Sequence, residues 1–313
     1  MFVFNKARAA IVAIAVIIPI SVIAMWNSAQ FLEFPEISVE NQKIVALASF
    51  YPIYEFTKEV GKDNVDVSLI VPAGIEPHDW EPSIQDLQRI QQADIIIING
   101  VGFENWLKNI EKSNSELLII DSSNGIDIIK EIDIDEHEDS QHDSSLSDPH
   151  IWLNPSLAKI QVKNIANGLI ELDPDNISYY RANSENYIKK LDALDSKIRD
   201  ELANCSKDFI AFHNAFAYFA KEYGLNQHTI TSTDPHDEPT SKTLEKIINL
   251  AKEMKIQVIF TEEGVDKRTS EVIAKELGGK VLILSPVEIS ETNITYIEKM
   301  EENLVNLKEA LCN

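Results

Sequence analysis

The chain has 313 residues, 44% of them hydrophobic, which is enough for a sizeable core and for two domains of ordinary length rather than a disordered polymer. Lys and Arg total 28 against 51 for Asp and Glu, and the net charge of -23 repels phosphate backbones, which sets nucleic acid aside as a partner. An acidic surface also keeps a chain soluble and monomeric, so the charge permits cation binding without establishing it.

Lys6 and Arg8 precede an uncharged apolar run from Ala9 to Trp26, broken only by Pro19 and Ser21, which is the pattern of an export segment. Residues 1–29 are therefore expected to be a signal peptide or an N-terminal membrane anchor. The rest of the chain is expected outside the cytoplasm, in a periplasm or at the cell surface. The run exceeds the roughly 7 to 15 residues of a cleavable segment and falls short of the roughly 20 of a full span. Asn27, Ser28 and Ala29 form a mediocre cleavage site, which tilts the expectation towards a retained helix. No cysteine precedes Cys205, which argues against a lipid-modified cysteine at this end.

Residues 30–42 lack a clear period and read as a linker, and the folded part is expected from Lys43. Strands are predicted at Ile44 to Ala48, Val65 to Val71, Asp94 to Ile98 and Leu117 to Ile120, with helices at Ile53 to Val60, Ile84 to Gln92 and Phe103 to Glu111. An acidic loop over 131–148, carrying His137 and His142, has too little apolar surface to pack. A helix resumes at Pro155, and a long one starts at Asp173-Pro174 and runs towards Ala203. Its apolar positions Tyr180, Tyr187, Ile188, Leu191, Leu194, Ile198 and Leu202 recur every three or four residues.

Alternation then returns. Strands are predicted at Asp208 to Phe212, Gln227 to Thr231, Gln257 to Phe260 and Lys280 to Leu284, with helices at Ala215 to Tyr223, Thr240 to Met254, Lys267 to Leu277 and Thr295 to Leu311. The fold class is α/β: two Rossmann-like lobes with parallel sheets, at 43–172 and 205–313, joined by a long linking helix at 173–204. The two cysteines, Cys205 and Cys312, have no metal-type spacing and can be either bridged or free after export.

In open α/β sheets, ligands sit beyond the carboxyl ends of the strands. Three of the seven histidines fall there or in stiff, Pro-bracketed turns: His78, His150 and His213. Each alone is more often a structural or surface residue. Together they match the three neutral imidazoles of an accessible zinc site whose fourth position is an acid or water. His228 and His236 read as ordinary surface residues.

Five segments carry a resemblance. They are Ser49-Phe-Tyr-Pro-Ile53, Gly74-Ile-Glu-Pro-His-Asp-Trp-Glu-Pro82, Asn99-Gly-Val-Gly-Phe-Glu-Asn-Trp-Leu107, Asp148-Pro-His-Ile-Trp-Leu-Asn-Pro155 and His213-Asn-Ala-Phe-Ala-Tyr-Phe-Ala-Lys-Glu-Tyr-Gly224. From Lys43 onwards the chain resembles the zinc- and manganese-binding solute-binding proteins of metal ABC importers, the ZnuA/TroA-like family. The resemblance implies two lobes on a rigid linking helix, a small lobe tilt on binding, and delivery of a divalent cation to a membrane ABC permease.

It also implies that His78, His150 and His213 are metal ligands. The third position is often glutamate in the family's manganese binders, so His213 favours Zn²⁺ as cargo, in keeping with the preference of zinc for nitrogen ligands. Manganese or iron-type import remains the alternative. Many relatives place an aspartate after the last strand, where this chain has Ser285. Water or Glu262 is the first expectation for the fourth ligand, with Glu288 and Glu76 as alternatives, and Glu262 has a second possible role in orienting a ligand histidine. A zinc hydrolase is the competing class, but the sequence has no His-Glu-x-x-His helix. A surface metal store or adhesin without a transporter is a third reading.

Overall fold

The structure is a computed structural model, described here for residues 43–108, 110, 117–130, 147–232, 235, 238–289 and 294–312. The N-terminal lobe begins with strand β1 (Ile44–Ala48), helix α1 (Tyr51–Gly61), strand β2 (Val65–Leu69), helix α2 (Ile84–Gln92) and strands β3 (Ile95–Ile98) and β4 (Ile119–Asp121). All pairs are parallel and the sheet order is β2-β1-β3-β4. β3 is four consecutive isoleucines, all buried, because an inner strand of a parallel sheet is covered on both faces. Ser83 starts α2 through a capping box with Asp86.

Helix α3 (Pro155–Leu172) leads into the linking helix α4 (Ile177–Leu202), and the C-terminal lobe repeats the plan. Its elements are β5 (Asp208–Ala211), α5 (Ala217–Tyr223), β6 (Asn226–Thr229), α6 (Ser241–Met254), β7 (Val258–Thr261), α7 (Arg268–Glu276), β8 (Lys280–Ile283) and α8 (Tyr296–Leu311). The sheet order, β6-β5-β7-β8, is that of the first lobe, so the two-lobed parallel α/β fold read from the sequence is the one observed. In each sheet the strand order reverses beside the first strand of the lobe, and the crevice there is where such sheets take ligands.

Tyr180, Tyr187, Leu191, Leu194, Ile198 and Leu202 are the buried stripe of α4, which packs on α1 and α3 from one lobe and on α8 from the other. Ile188 is only partly buried. Salt bridges Lys190–Glu59 and Lys197–Glu301 continue this bridging on the surface. The helix expected from Asp173 starts later, because Pro174–Asn176 forms a short 3-10 turn in which Asp173 accepts from Asn176 Nδ2 at 2.8 Å. The stretch expected to be helical from Phe103 has turns as far as Trp106 and is helical at Leu107, Lys108 and Ile110, while the other residues from 109 onwards lie outside those described.

Cys205, just past α4, is disulfide-bonded to Cys312, just past α8, which settles the pairing left open by the sequence. Lys130 and Ser147 form an antiparallel bridge, and residues 131–146 of the expected acidic loop lie outside those described. The expected export segment lies there too. Among the described residues no helix is long and apolar enough to cross a membrane.

Candidate metal centre

Ile210 of β5 pairs with Ile259 of β7, and three residues further on each chain stand His213 and Glu262. Parallel register therefore delivers an imidazole and a carboxylate side by side at the mouth of the C-terminal sheet. Both Glu262 oxygens lie 2.7 Å from His213 Nδ1, and Oε1 also accepts from the His213 backbone N–H at 3.2 Å. His150 is held in the same way from the other lobe. Asp148 Oδ1 accepts from its backbone N–H at 2.9 Å and lies 2.8 Å from its Nδ1. A carboxylate on Nδ1 keeps the proton there and leaves the Nε2 lone pair free to bind metal.

The Nε2 atoms converge. His150 Nε2 is 3.2 Å from His213 Nε2 and 3.3 Å from His78 Nε2. Glu288 Oε1 stands 3.3 Å from both His78 Nε2 and His150 Nε2. One donor atom from each of His78, His150, His213 and Glu288 lies within 4.8 Å of every other. His150 and His213 are fully buried, and only His78 keeps partial exposure.

His78 is carried by the loop after β2. Gly74, with φ +81°, allows the tight turn there, and Glu76 Oε1 accepts from the His78 N–H at 3.2 Å. The His78 ring meets the Phe103 ring edge-on at 5.0 Å, and Trp152 lies 5.1 Å from His150. Phe50 packs on both aromatic residues, giving the centre an apolar floor that strengthens any charge interaction above it.

Burial would pull the His150 pKa down, but Asp148 and Glu288 outweigh it and push the pKa up to about 10. Burial acts in the opposite direction on Glu288, where the histidines overcome it and hold the carboxyl far below its ordinary range. Burial, reinforced by the Glu288 charge, raises Glu76 to about 8. The buried Glu288 charge is thus matched by a proton on His150, a place that a divalent cation can take over. Glu288 Oε2 is buried with no hydrogen-bond partner among the described residues, which leaves the second carboxylate oxygen available to a cation as well.

His78, His150 and His213, singled out from the sequence, are brought together. Glu262, read from the sequence as either a fourth ligand alongside water or the group that orients a ligand histidine, lies against His213 Nδ1, and Glu288, one of the alternatives, faces the three Nε2 atoms. Ser285 does not face the centre. Its Oγ accepts from the Val287 N–H at 3.1 Å and shapes the turn that aims Glu288 inwards, with Val287 at φ +60°. The signal for Glu288 is two residues beyond Pro286, a short reach that periodicity does not encode. Asp148 was legible only as part of a motif. His228 pairs with Asp208 on β5, away from the centre, and His137, His142 and His236 lie outside the described residues.

A family model described as "Zinc-uptake complex component A periplasmic" (ZnuA) matches residues 46–310. The chain belongs to this family. The high-affinity zinc uptake system protein ZnuA of Bacillus subtilis (strain 168) is 39% identical over 284 residues, covering 87% of this chain and 89% of that protein. Among solved structures, the metal-dependent lipoprotein YcdH from Bacillus subtilis aligns with TM-score 0.74 and 38% identity over 86% of this chain and 100% of that one. The Zn(II)-bound ZnuA-like domain of Streptococcus pneumoniae AdcA aligns with TM-score 0.74 and 31% identity over 86% and 99%. Family membership makes the chain a metal-binding transport component of an extracytoplasmic compartment.

Proposed function

We propose that the chain is the zinc-capture component of an ABC importer, with His78, His150, His213 and Glu288 as the ligands of the transported ion and Asp148 and Glu262 orienting two of the imidazoles. The observation that carries this reading is the convergence of three Nε2 atoms and one carboxylate oxygen within 4.8 Å. Three nitrogens and one anionic oxygen suit tetrahedral Zn²⁺, whereas Mn²⁺ favours oxygen-rich, higher-coordinate sites.

Capture needs no bond making beyond coordination. The ion displaces protons from the imidazoles, and the apolar floor and the two buried carboxylates hold the ligands ready, so little ordering cost is left to binding. His78 and His150 come from one lobe and His213 and Glu288 from the other, so the ion ties the lobes together. Because α4 packs on both lobes, the movement that accompanies binding or release is a small tilt rather than a wide closure. A membrane permease receives the ion, and residues 1–29, read as a signal peptide or a membrane anchor, export the carrier and, where retained, keep it near the permease. The carrier acts as a monomer.

A hydrolase reading has less support. Catalytic zinc keeps an open position for water or substrate, whereas four protein donors within 4.8 Å of one another are enough to complete a four-coordinate shell without one. Competitive zinc and manganese titration of the purified, metal-stripped chain tests the proposal. Tight one-to-one zinc binding that outcompetes manganese is expected. Preference for manganese, or zinc-dependent turnover of esters, peptides or phosphates, would overturn it.

A further inference from the structure

Tyr218 belongs to the first turn of α5 in the C-terminal lobe, yet its side chain is buried in the N-terminal one. It packs with Ile126 and Ile151, with Val101 against the same cluster. Its hydroxyl donates to the backbone carbonyl of Asp148 at 2.8 Å and accepts from the Ile129 N–H at 2.9 Å. Asp148 is the residue whose carboxylate fixes His150, and Ile129 and Asp148 flank the Lys130–Ser147 bridge. α5 in turn begins four residues after His213, across a tight turn in which Ala215 N–H bonds the His213 carbonyl.

Each of these two imidazoles is rigid within its own lobe, because its Nδ1 is tied to a carboxylate of that lobe. The 3.2 Å between their Nε2 atoms is therefore a property of how the lobes are registered, not of either histidine. On the Glu288 side, registration is held by Trp152 Nε1, which donates to the Pro286 carbonyl at 2.8 Å. On the His213 side it is held by the Tyr218 hydroxyl, with longer contacts of 3.4 Å from Asn154 Nδ2 to the Tyr218 carbonyl and to Glu222 Oε2.

We infer that Tyr218 is an interlobe pin: a positioning residue that touches no metal but sets the spacing of His150 and His213, and so the residence time of the bound ion. The inference rests on the proposed zinc site. Removing the hydroxyl leaves the Asp148 carbonyl and the Ile129 N–H without this partner and lets the Asp148–His150 segment drift from α5, while both imidazoles keep their own carboxylates.

Tyr223, on the same helix, supplies the control. Its hydroxyl donates to Asp195 of α4 at 2.9 Å and reaches nothing at the centre. Zinc affinity and dissociation rate are measured for the parent, Tyr218→Phe and Tyr223→Phe, with melting temperatures of the three metal-free proteins. Tyr218→Phe is expected to bind about tenfold more weakly, chiefly through faster dissociation, as when support behind a metal ligand is lost. Tyr223→Phe is expected to stay within about twofold of the parent, since it is not coupled to the site. In the parent, zinc should also slow hydrogen exchange at the Ile129 amide, because coupling between pin and ion is reciprocal.

Equal zinc binding by Tyr218→Phe and the parent, with only melting temperature lowered, overturns the pin and leaves the site standing. Ile129 exchange indifferent to zinc does the same without any variant. A parent that fails to bind zinc overturns the site and the pin together.

Discussion

Glu262 stands 2.7 Å from His213 Nδ1, on the side of the ring opposite the Nε2 that faces His150. This separates two roles that a carboxylate beside a histidine can play, and the two predict different variants. If Glu262 orients the ring, Glu262→Gln keeps all four proposed ligands and costs roughly 10- to 100-fold in zinc affinity. His213→Ala, which removes a proposed ligand, is expected to cost more. Chelator competition on the two variants ranks them. Equal losses would place Glu262 in the metal shell.

Zinc and protons compete for the same imidazoles, so pH should act in opposite directions on the metal-free fold and on affinity. With its pKa raised from 6.5 to about 10, His150 contributes stability that is complete below pH 6.5 and lost as pH rises towards 10. Glu288, whose pKa is depressed from 4.5, contributes stability present above that pH and lost as pH falls below it. The metal-free chain should therefore gain most from this pair between those two values and lose melting temperature above pH 6.5. Glu288→Gln should flatten that decline, and zinc affinity of the parent should rise over the same range. Thermal melts and titrations at stepped pH check both signs.

The Cys205–Cys312 disulfide closes a loop with a sequence separation of 107 and ties the end of the linking helix to the last helix. Loss of such a cross-link typically costs about 2–4 kcal/mol, mainly by freeing the unfolded chain. Cys205→Ser paired with Cys312→Ser should lower the denaturant midpoint accordingly, with zinc affinity unchanged because neither cysteine faces the centre. A large drop in affinity would mean that the two lobes lose their registration without the bridge.

Much of this was legible in the sequence. Alternating apolar strands and amphipathic helices gave both sheets, the stripe from Tyr180 to Leu202 gave the linking helix, and His78, His150 and His213 stood out because they fall in stiff turns or just past a strand end. Glu288 and Glu262 were harder to separate, because both are acids past strand ends. Which one faces the histidines depends on the Ile210–Ile259 register and on the Ser285–Val287 turn, neither of which leaves a periodic trace. Asp148 and Tyr218 were hidden for a related reason. Tyr218 acts through a contact between segments distant in the chain, its hydroxyl on the Asp148 carbonyl, and Asp148 through a bond to His150 two residues on that shows only once the loop is folded.

Gly100 is a position where a side chain would be strained, next to the residue that supports the His150 turn. Its φ is +86°, and a Cβ there would meet Asp121 Oδ1 at 2.1 Å. Its neighbour Asn99 donates from Nδ2 to the Pro149 carbonyl at 2.9 Å, one residue before His150. Gly100→Ala should destabilise the fold by about 1–3 kcal/mol, the cost of a strained non-Gly residue. It should also weaken zinc binding as Asn99 moves. Urea unfolding and zinc titration of the same variant measure the two effects.

X-ray absorption at the zinc edge of the loaded chain reads the proposed ligand set itself. A four-coordinate ion with three imidazole nitrogens and one carboxylate oxygen at roughly 2.0–2.2 Å is expected, with one imidazole lost in His213→Ala. An oxygen-rich, six-coordinate shell, or a shell unchanged in His213→Ala, would contradict it.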